Sequence, residues 1–177
     1  MKRIFLIAFC IIIAFCIIMI FALVGFGGKP NVDENMGKQE EQQKDKVYGI
    51  GEYAKTEHYE VAIAKVTKPT KWKFEPEEGK EYVAVEISIK NISDEDGSVK
   101  QSDFQYMGED EKLHGRYPDT YSGFDVTPET FGAEDLEIGQ TFNGTIVYLL
   151  PKSMTEVELW YREGYTTKPD ATFKFSK

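Results

Sequence analysis

Residues 82–90, with the sequence YVAVEISIK, constrain the fold of this chain more than any other segment. Branched apolar side chains occupy alternate positions, namely Val83, Val85, Ile87 and Ile89. Because successive side chains of a β-strand point to opposite faces of its sheet, this segment can bury one face and leave the other in water. A run of turn-forming residues, 91–97, ends the pattern. The sequence therefore predicts a strand with one buried face.

Further segments share this composition and alternation. They are residues 48–53, 59–64, 104–107, 140–150, 156–161 and 171–175. About seven short strands separated by turn residues are typical of a two-sheet antiparallel sandwich. Residues 113–131 are rich in Gly, Pro, Asp and Thr, so we expect a long loop there with at most one weak strand. In the strand at 156–161, Trp160 and Tyr161 point to opposite faces, so one of them should belong to the core.

The N-terminal segment, residues 1–27, begins with Lys2 and Arg3 and continues with an apolar stretch over residues 4–26. The stretch contains neither a charged residue nor a proline. About 20 helical residues cross a hydrocarbon core ~30 Å thick, so this segment is long enough to span a bilayer. Because cytoplasmic flanks carry an excess of Lys and Arg, the N-terminus should be cytoplasmic and the C-terminal domain extracellular. We predict one transmembrane helix that anchors the chain in the plasma membrane.

Two processing routes compete with an uncleaved anchor. A cleaved signal sequence usually has an apolar region of ~7–15 residues, which is shorter than this one, although the small residues within 22–28 would admit a peptidase. Lipoprotein processing at Cys10 or Cys16 needs a small preceding residue, whereas Phe9 and Phe15 precede them. The sequence therefore favours the uncleaved anchor.

Residues 28–46 form a polar stretch with few large apolar side chains. Such a segment cannot bury enough apolar surface to offset the entropy lost on ordering, so we predict a disordered linker. Residues 47–177 remain as one domain of typical size. The whole chain carries a formal charge of −9, and leaving out Lys2 and Arg3 makes the remainder −11. An acidic surface of this size disfavours nucleic acid and anionic lipid headgroups as partners.

The predicted domain offers little catalytic chemistry. Both cysteines, Cys10 and Cys16, lie in the N-terminal segment, so the domain has neither a thiol nucleophile nor a thiolate metal site. Its histidines, His58 and His114, precede a strand and lie in a polar loop, outside any recognisable nucleophile motif. The sequence contains no G-x-S-x-G, P-loop or HExxH pattern. We therefore predict no catalytic residue, no metal and no cofactor.

The acidic turn at residues 94–96 keeps one alternative open. Calcium requires about six to eight converging oxygens, and this turn lacks the spacing of an EF-hand loop. A short acidic turn between strands is usually solvated. A domain that senses small molecules or metal ions, or an enzyme with an unrecognised carboxylate site, therefore remains the alternative to a binding module.

Aromatic side chains in the predicted loops are the candidate partner-binding residues. They are Trp72, Phe74, Tyr117, Tyr121 and Phe124. Exposed loop aromatics are typical contact residues for proteins and glycans. The alternative interpretation is that these rings cover an open end of the sandwich.

Four stretches of the sequence, taken in order, resemble the bacterial domain-of-unknown-function family 4352, a telokin-like, immunoglobulin-like domain of Gram-positive surface proteins and lipoproteins. They are residues 51–66, 79–91 (GKEYVAVEISIKN), 102–104 (SDF) and 136–151 (LEIGQTFNGTIVYLLP). The resemblance covers roughly residues 47–177, with Ile138 in place of the usual proline and an insertion at 108–131. It implies an immunoglobulin-like antiparallel β-sandwich at the cell surface and no established activity.

These features together predict a membrane-anchored extracytoplasmic binding module. The expected partners are the lipid bilayer, through the N-terminal helix, and a protein or another component of the cell envelope.

Overall fold

The computed structural model describes residues 46–117, 123–164 and 166–177. Within these residues the chain forms eleven β-strands and one short 3-10 turn. The strands are β1 (Val47–Tyr48), β2 (Tyr53–Lys55), β3 (Tyr59–Thr67), β4 (Lys80–Asn91), β5 (Gly97–Lys100), β6 (Phe104–Met107), β7 (Leu113–His114), β8 (Ala133–Leu136), β9 (Thr141–Pro151), β10 (Glu156–Tyr161) and β11 (Ala171–Ser176). The 3-10 turn, Gln101–Asp103, connects β5 to β6.

The strands form two larger sheets and one small one. The first sheet has the order β1-β11-β10-β6-β7, the second has the order β2-β3-β4-β9, and β5 pairs with β8. All of these pairs are antiparallel except β1 with β11, which is parallel. The longest ladder joins β4 to β9, from Lys80 opposite Pro151 to Lys90 opposite Thr141.

A single apolar core lies between the five-stranded and four-stranded sheets and contains side chains from both. On β4 the alternation predicted from the sequence is fulfilled, because the four branched residues are almost completely buried in this core, namely Val83, Val85, Ile87 and Ile89. Tyr148 of β9 crosses the core, where its ring meets that of Tyr106 at 5.6 Å and its hydroxyl donates to the carbonyl of Phe104 at 3.4 Å. The predicted all-β sandwich is therefore confirmed.

Several strand boundaries agree closely with the sequence-based expectations. The segments 104–107 and 156–161 coincide with β6 and β10, and β9 is shifted by one residue from the predicted 140–150. Tyr161 is buried whereas Trp160 is half-buried and donates its indole N–H to Glu158, so one of the pair belongs to the core as expected. After the short strand β7, the described part of residues 115–131 is a loop, as predicted.

The predicted first strand, 48–53, is wrong as a single element. Gly51 has a φ of 81°, in the left-handed region that glycine tolerates, and its N–H donates to the carbonyl of Ile63 at 2.8 Å. This turn separates β1, which pairs in the five-stranded sheet, from β2, which pairs in the four-stranded sheet. The chain therefore crosses from one sheet to the other within these residues.

The predicted transmembrane segment, residues 1–27, and the linker up to residue 45 lie outside the described residues. Within the part of the chain that the structure describes, no helix is long and apolar enough to span a bilayer.

Candidate functional site

The outer face of the four-stranded sheet carries a second apolar cluster, separate from the core of the sandwich. Tyr82 and Ala84 of β4 are buried although their side chains alternate with the core-facing residues, and Val147 lies opposite Ala84 on β9. Two rows of this face, Tyr82 opposite Leu149 and Ala84 opposite Val147, are covered in this way, whereas the next outward position of β4, Glu86, forms an ion pair with Lys65 at 3.7 Å. The apolar cluster therefore lies at the end of the face near the start of β4.

Tyr82 is the centre of this cluster. Its ring meets Tyr117 at 5.2 Å, Phe124 at 4.9 Å and Trp72 at 6.3 Å between centroids. The contacts with Tyr117 and Phe124 are edge-to-face, the arrangement that the quadrupoles of aromatic rings favour. We call these four residues, Trp72, Tyr82, Tyr117 and Phe124, the outer aromatic cluster. Tyr82 is only 4% exposed because the other three rings cover it.

The β3–β4 loop, residues 68–79, brings the most exposed rings to this end of the sheet. Trp72 is 37% exposed and Phe74 is 46% exposed, and the flanking Lys71 and Lys73 are exposed as well. The ammonium group of Lys73 lies 5.3 Å from the centroid of Phe74, within the range of a cation–π contact. The segment 71–74 thus presents two apolar and two cationic side chains to solvent.

A carboxylate fixes the entry to this loop. Asp125 accepts the backbone N–H groups of Thr70 and Lys71 at 2.8 and 2.9 Å, and the hydroxyl of Thr70 donates to its second oxygen at 2.5 Å. The hydrogen bonds from Thr70, and next that from Lys71, hold the pKa of Asp125 below its usual value. These bonds favour the charged carboxylate, which is the form present at neutral pH, and they tie the loop entry to Asp125.

Residues 115–117 and 123–131 cover the outer edge of β9. The N–H of Tyr117 donates to the carbonyl of Val147 at 3.0 Å, and the N–H of Thr145 donates to the carbonyl of Glu129 at 3.1 Å. Unpaired edge strands attract other chains, so this loop occupies backbone groups that would otherwise invite pairing. Phe124 enters the outer aromatic cluster from the same loop.

The structure brings together three of the five residues that the sequence predicts to bind a partner. Trp72, Tyr117 and Phe124 surround Tyr82. Phe74 faces solvent beside Lys73, and Tyr121 lies outside the described residues. The rings therefore differ in role, because Tyr117 and Phe124 are half-buried cover for the sheet, whereas Trp72 and Phe74 remain available for contact.

Sequence reasoning did not single out Tyr82 as part of the site. Its position in the sequence nevertheless offered a signal. Tyr82 and Ala84 are two residues apart, so they lie on the same face of β4, and both are apolar although the alternation assigns that face to solvent. An aromatic ring beside a small apolar residue on such a face indicates that something covers them.

The opposite end of the domain holds the other notable polar group. The Nδ1 atom of His58 lies 2.6 Å from Oε2 of Glu163, whose other oxygen accepts the hydroxyl of Thr56. The hydrogen bond with Glu163 raises the pKa of His58, since the carboxylate stabilises the imidazolium. These contacts join the β2–β3 turn to the segment after β10, and thus one sheet to the other.

Nearby, burial raises the pKa of Asp103, although its carboxylate accepts the N–H of Lys100 at 2.8 Å as a cap of the 3-10 turn. Among the residues that the structure describes, no three or more His, Cys, Asp or Glu side chains converge into a metal-binding group.

A shallow groove of about 380 Å³ lies on the outer face of the five-stranded sheet. Met107 and Met154 border it, and its carboxylates already have partners in part, because Glu158 pairs with Lys174 at 3.2 Å and Glu109 accepts the hydroxyl of Ser153 at 3.0 Å. Its openness to solvent fits a surface depression better than an enclosed pocket of the kind that buries most of a small ligand.

The sequence profile of a family described as "Domain of unknown function (DUF4352)" matches residues 48–171. No curated protein matches the chain.

Among solved structures, the chain is similar to the yjhA protein from Bacillus subtilis, with a TM-score of 0.51 and 16% sequence identity over 65% of this chain and 80% of that one. It is also similar to a candidate lipoprotein, ycdA, from Bacillus subtilis subsp. subtilis strain 168, with a TM-score of 0.55 and 19% identity. That match covers 70% of this chain and 38% of ycdA. At such identities the likeness concerns the fold alone.

Proposed function

Since the chain belongs to the DUF4352 family, we propose that it is a membrane-anchored extracytoplasmic binding module of the bacterial cell envelope rather than an enzyme. The sandwich would be held outside the plasma membrane by a single N-terminal helix over residues 1–27, with the N-terminus in the cytoplasm. Residues 28–46 would serve as a flexible tether, and residues 47–177 as an immunoglobulin-like domain.

Two observations support the extracytoplasmic assignment. The family match covers most of the predicted domain, and one of the similar structures is a candidate lipoprotein, a class of protein that is held at a membrane surface. The apolar stretch 4–26 offers a different means of attachment, because an uncleaved helix of that length spans the bilayer without lipidation.

The observation that carries the binding role is the exposure of Trp72 and Phe74 beside an aromatic cluster that is already packed. Tyr82 and its half-buried partners Tyr117 and Phe124 form a firm apolar base. Trp72 rests on this base and keeps 37% of its surface in water. Large aromatic side chains that are pre-positioned but incompletely buried dominate the energetics of many interfaces. We assign partner contact to Trp72 and Phe74, with Tyr117 and Phe124 at the margin, and Tyr121 stays a predicted contact residue.

An affinity comparison tests this proposal. The full chain, solubilised from bacterial envelopes after mild cross-linking, is captured as parent, as the double variant Trp72→Ala/Phe74→Ala, and as Tyr53→Ala. Tyr53 is a suitable control because it is 58% exposed on β2, away from the outer aromatic cluster. We expect the double variant to lose partners that Tyr53→Ala retains. Identical sets of captured partners for the three proteins would contradict the assignment.

The carboxylate-based alternative has one specific observation in its favour. Asp103 is half-buried, its pKa is raised by that burial, and Glu163 adds to the shift. Its oxygen, however, already accepts the N–H of Lys100, and Glu163 is engaged by His58 and Thr56. Titration of the full chain with calcium or with small envelope metabolites, followed by NMR, should leave the resonances of Asp103 and Glu163 unmoved. Saturable shifts confined to these residues would favour a sensing role.

A further inference from the structure

We propose that the loop tip formed by Lys71, Trp72, Lys73 and Phe74 docks onto the surface of an anionic lipid bilayer and thereby orients the domain on the membrane that anchors it. The proposal rests on the membrane anchoring proposed above, and it names the partner of the exposed part of the aromatic surface. The tip is the residue range 71–74 within the β3–β4 loop.

The charge of the tip differs from that of its surroundings. The chain without Lys2 and Arg3 has a formal charge of −11, yet the tip carries two exposed lysines and no carboxylate. Lys68 and Lys80, which flank the tip, are paired with Glu81 at 2.9 Å and Glu77 at 2.7 Å. In the described ranges, by contrast, neither Lys71 nor Lys73 lies in an ion pair. Their ammonium groups are thus free to meet lipid phosphates.

The acidic remainder of the surface does not contradict this docking. Lipid headgroups repel the domain as a whole, as the sequence indicates, but this repulsion falls off within a Debye length of about 8–10 Å. The exposed segment 71–74 can therefore meet the bilayer through its two rings and two lysines while acidic side chains beyond that distance contribute little. Glu75, Glu77 and Glu78 follow directly in the loop and oppose the attraction at close range, so the apolar contact of the rings has to contribute much of the binding.

The alternation of residue types in the tip suits a membrane interface. Tryptophan is enriched at the level of the headgroups, where its ring is partly in the apolar region and its N–H stays wet. Lysine buries its alkyl stem along apolar surface and keeps its ammonium group in water. In the sequence Lys71-Trp72-Lys73-Phe74, the two exposed rings supply apolar area and the two lysines supply attraction to anionic lipid.

The tip is pre-organised for such contact. Asp125 holds the backbone of Thr70 and Lys71, and Tyr82 supports the ring of Trp72 from behind. Docking would therefore order few additional side chains, which reduces the entropy lost on binding. No rearrangement of the sheet is required, because Trp72 and Phe74 already face solvent.

The linker proposed above would let the bilayer be reached. If residues 28–46 behave as a flexible chain, their root-mean-square span is roughly 25 Å, taking 5–6 Å multiplied by the square root of their length. The chain enters the domain at Val47, opposite Thr172 and near the end that holds His58, so the domain must tilt on this tether for the tip to meet lipid. A domain on such a tether samples the membrane surface at high effective concentration, so even a weak contact through two rings and two lysines becomes populated. A soluble partner has no such advantage, which is why we commit to the bilayer.

The two tryptophans of the chain, Trp72 and Trp160, make the test direct. The full chain carrying Trp160→Phe retains only Trp72 and is reconstituted into vesicles of phosphatidylglycerol and phosphatidylcholine with brominated acyl chains, which quench tryptophan on contact. We expect the emission of Trp72 to fall to about half or less, and to recover partly in vesicles of phosphatidylcholine alone or in high salt.

Matched variants separate docking from mere proximity. The chain with Trp72→Phe reports from Trp160, on the opposite sheet, and should remain unquenched. In the Trp160→Phe background, Lys71→Glu/Lys73→Glu should abolish most of the quenching, whereas Lys90→Glu, an exposed lysine at the far end of β4, should preserve it.

Each outcome bears on a definite claim. Flotation of the vesicles first reports whether the full chain is membrane-bound, and a chain that does not float with lipid overturns both the anchoring and the docking. A chain that floats while Trp72 remains unquenched in anionic vesicles overturns the docking alone. In that case a Trp72-dependent change in captured envelope partners would still support the binding role, with a protein in place of the bilayer.

Discussion

The two faces of β4 differ in how they are covered, although they belong to the same twelve residues. On the inner face, branched side chains meet the opposite sheet and are almost completely excluded from water. On the outer face, Tyr82 and Ala84 are buried only beneath loop aromatics, and one of these rings, Trp72, is still 37% exposed. A sheet makes a closed and permanent cover, whereas a loop makes a partial one whose outer surface remains free to bind. The fold depends on the first face, and the proposed function on the second.

The largest expected effect concerns the inner face. Ile87→Ala should lower the free energy of unfolding by about 3 kcal/mol, because it leaves a cavity between two sheets that cannot collapse onto it. Urea denaturation of the full chain in detergent measures this, with the outward-facing Ser88→Ala as the control at roughly 0.5 kcal/mol or less. A loss below about 1 kcal/mol would mean that the inner face is less tightly packed than its burial indicates.

Truncating the outer face should have a smaller effect. Tyr82→Ala removes the centre of the outer aromatic cluster, but this face is covered only by a loop and borders solvent, so water can fill the space and we expect a loss of about 2 kcal/mol. Tyr82→Phe, which keeps the ring contacts, should be affected much less. A loss for Tyr82→Ala that equals or exceeds that of Ile87→Ala would remove the distinction between the two faces.

The contact between the sheets at the far end should depend on pH, unlike the apolar packing of either face. Because Glu163 raises the pKa of His58 in the folded state, the pair stabilises fully below the unfolded pKa of about 6.5 and ceases to do so as pH rises through the folded value. His58 is exposed, so His58→Gln should cost only about 0.5 kcal/mol near pH 5.5 and almost nothing near pH 8.5.

Unfolding curves at the two pH values measure this difference. A double-mutant cycle of His58→Gln and Glu163→Gln should give a larger coupling energy at the lower pH than at the higher one, because the charged imidazolium and Glu163 act as one pair. The parent and His58→Gln could instead differ in free energy of unfolding by the same amount at both pH values. That result would show that Glu163 does not stabilise the imidazolium.

A similarly small effect on stability should come from the exposed rim of the outer face. Trp72→Ala should lower the free energy of unfolding by about 0.5 kcal/mol, since much of the ring is already in water. The same variant should nevertheless reduce binding to the envelope partner or bilayer markedly. A thermal unfolding curve and a vesicle-flotation assay on one preparation give both values. A stability loss as large as that of Tyr82→Ala would assign Trp72 to structural cover.

Strands that show alternating apolar residues, or a proline at their end, were predictable from the sequence. The alternation over residues 82–90 fixes the two faces of β4, and the termination at Pro151 follows because proline cannot donate a ladder hydrogen bond. The strands β5 and β8 were missed, since each has only one buried apolar residue, Val99 or Leu136, and their pairing joins segments more than thirty residues apart. Pairing between such distant segments produces no alternation of apolar and polar residues within either segment alone.

The candidate site was predictable in composition but not in arrangement. The aromatic content of the loops indicated either contact residues or cover, and both interpretations hold for different rings. Tyr117 and Phe124 pack onto Tyr82, whereas Trp72 and Phe74 keep large exposed fractions. The sequence could not show which rings are cover and which are exposed. That distinction depends on the hydrogen bonds by which Asp125 fixes the loop at Thr70 and Lys71, a contact between residues more than fifty positions apart.

Site-specific photo-cross-linking from position 74 tests the central claim, that the exposed aromatic rim is where the domain meets its partner, most directly. A benzophenone-bearing residue replaces Phe74 in the full chain within bacterial envelopes, and a second preparation carries the same residue in place of Tyr53, an aromatic on β2 that is even more exposed. We predict saturable adducts with lipid or with one envelope component from position 74 and only background from position 53. Equal background from both positions would contradict the claim that this rim is a contact surface.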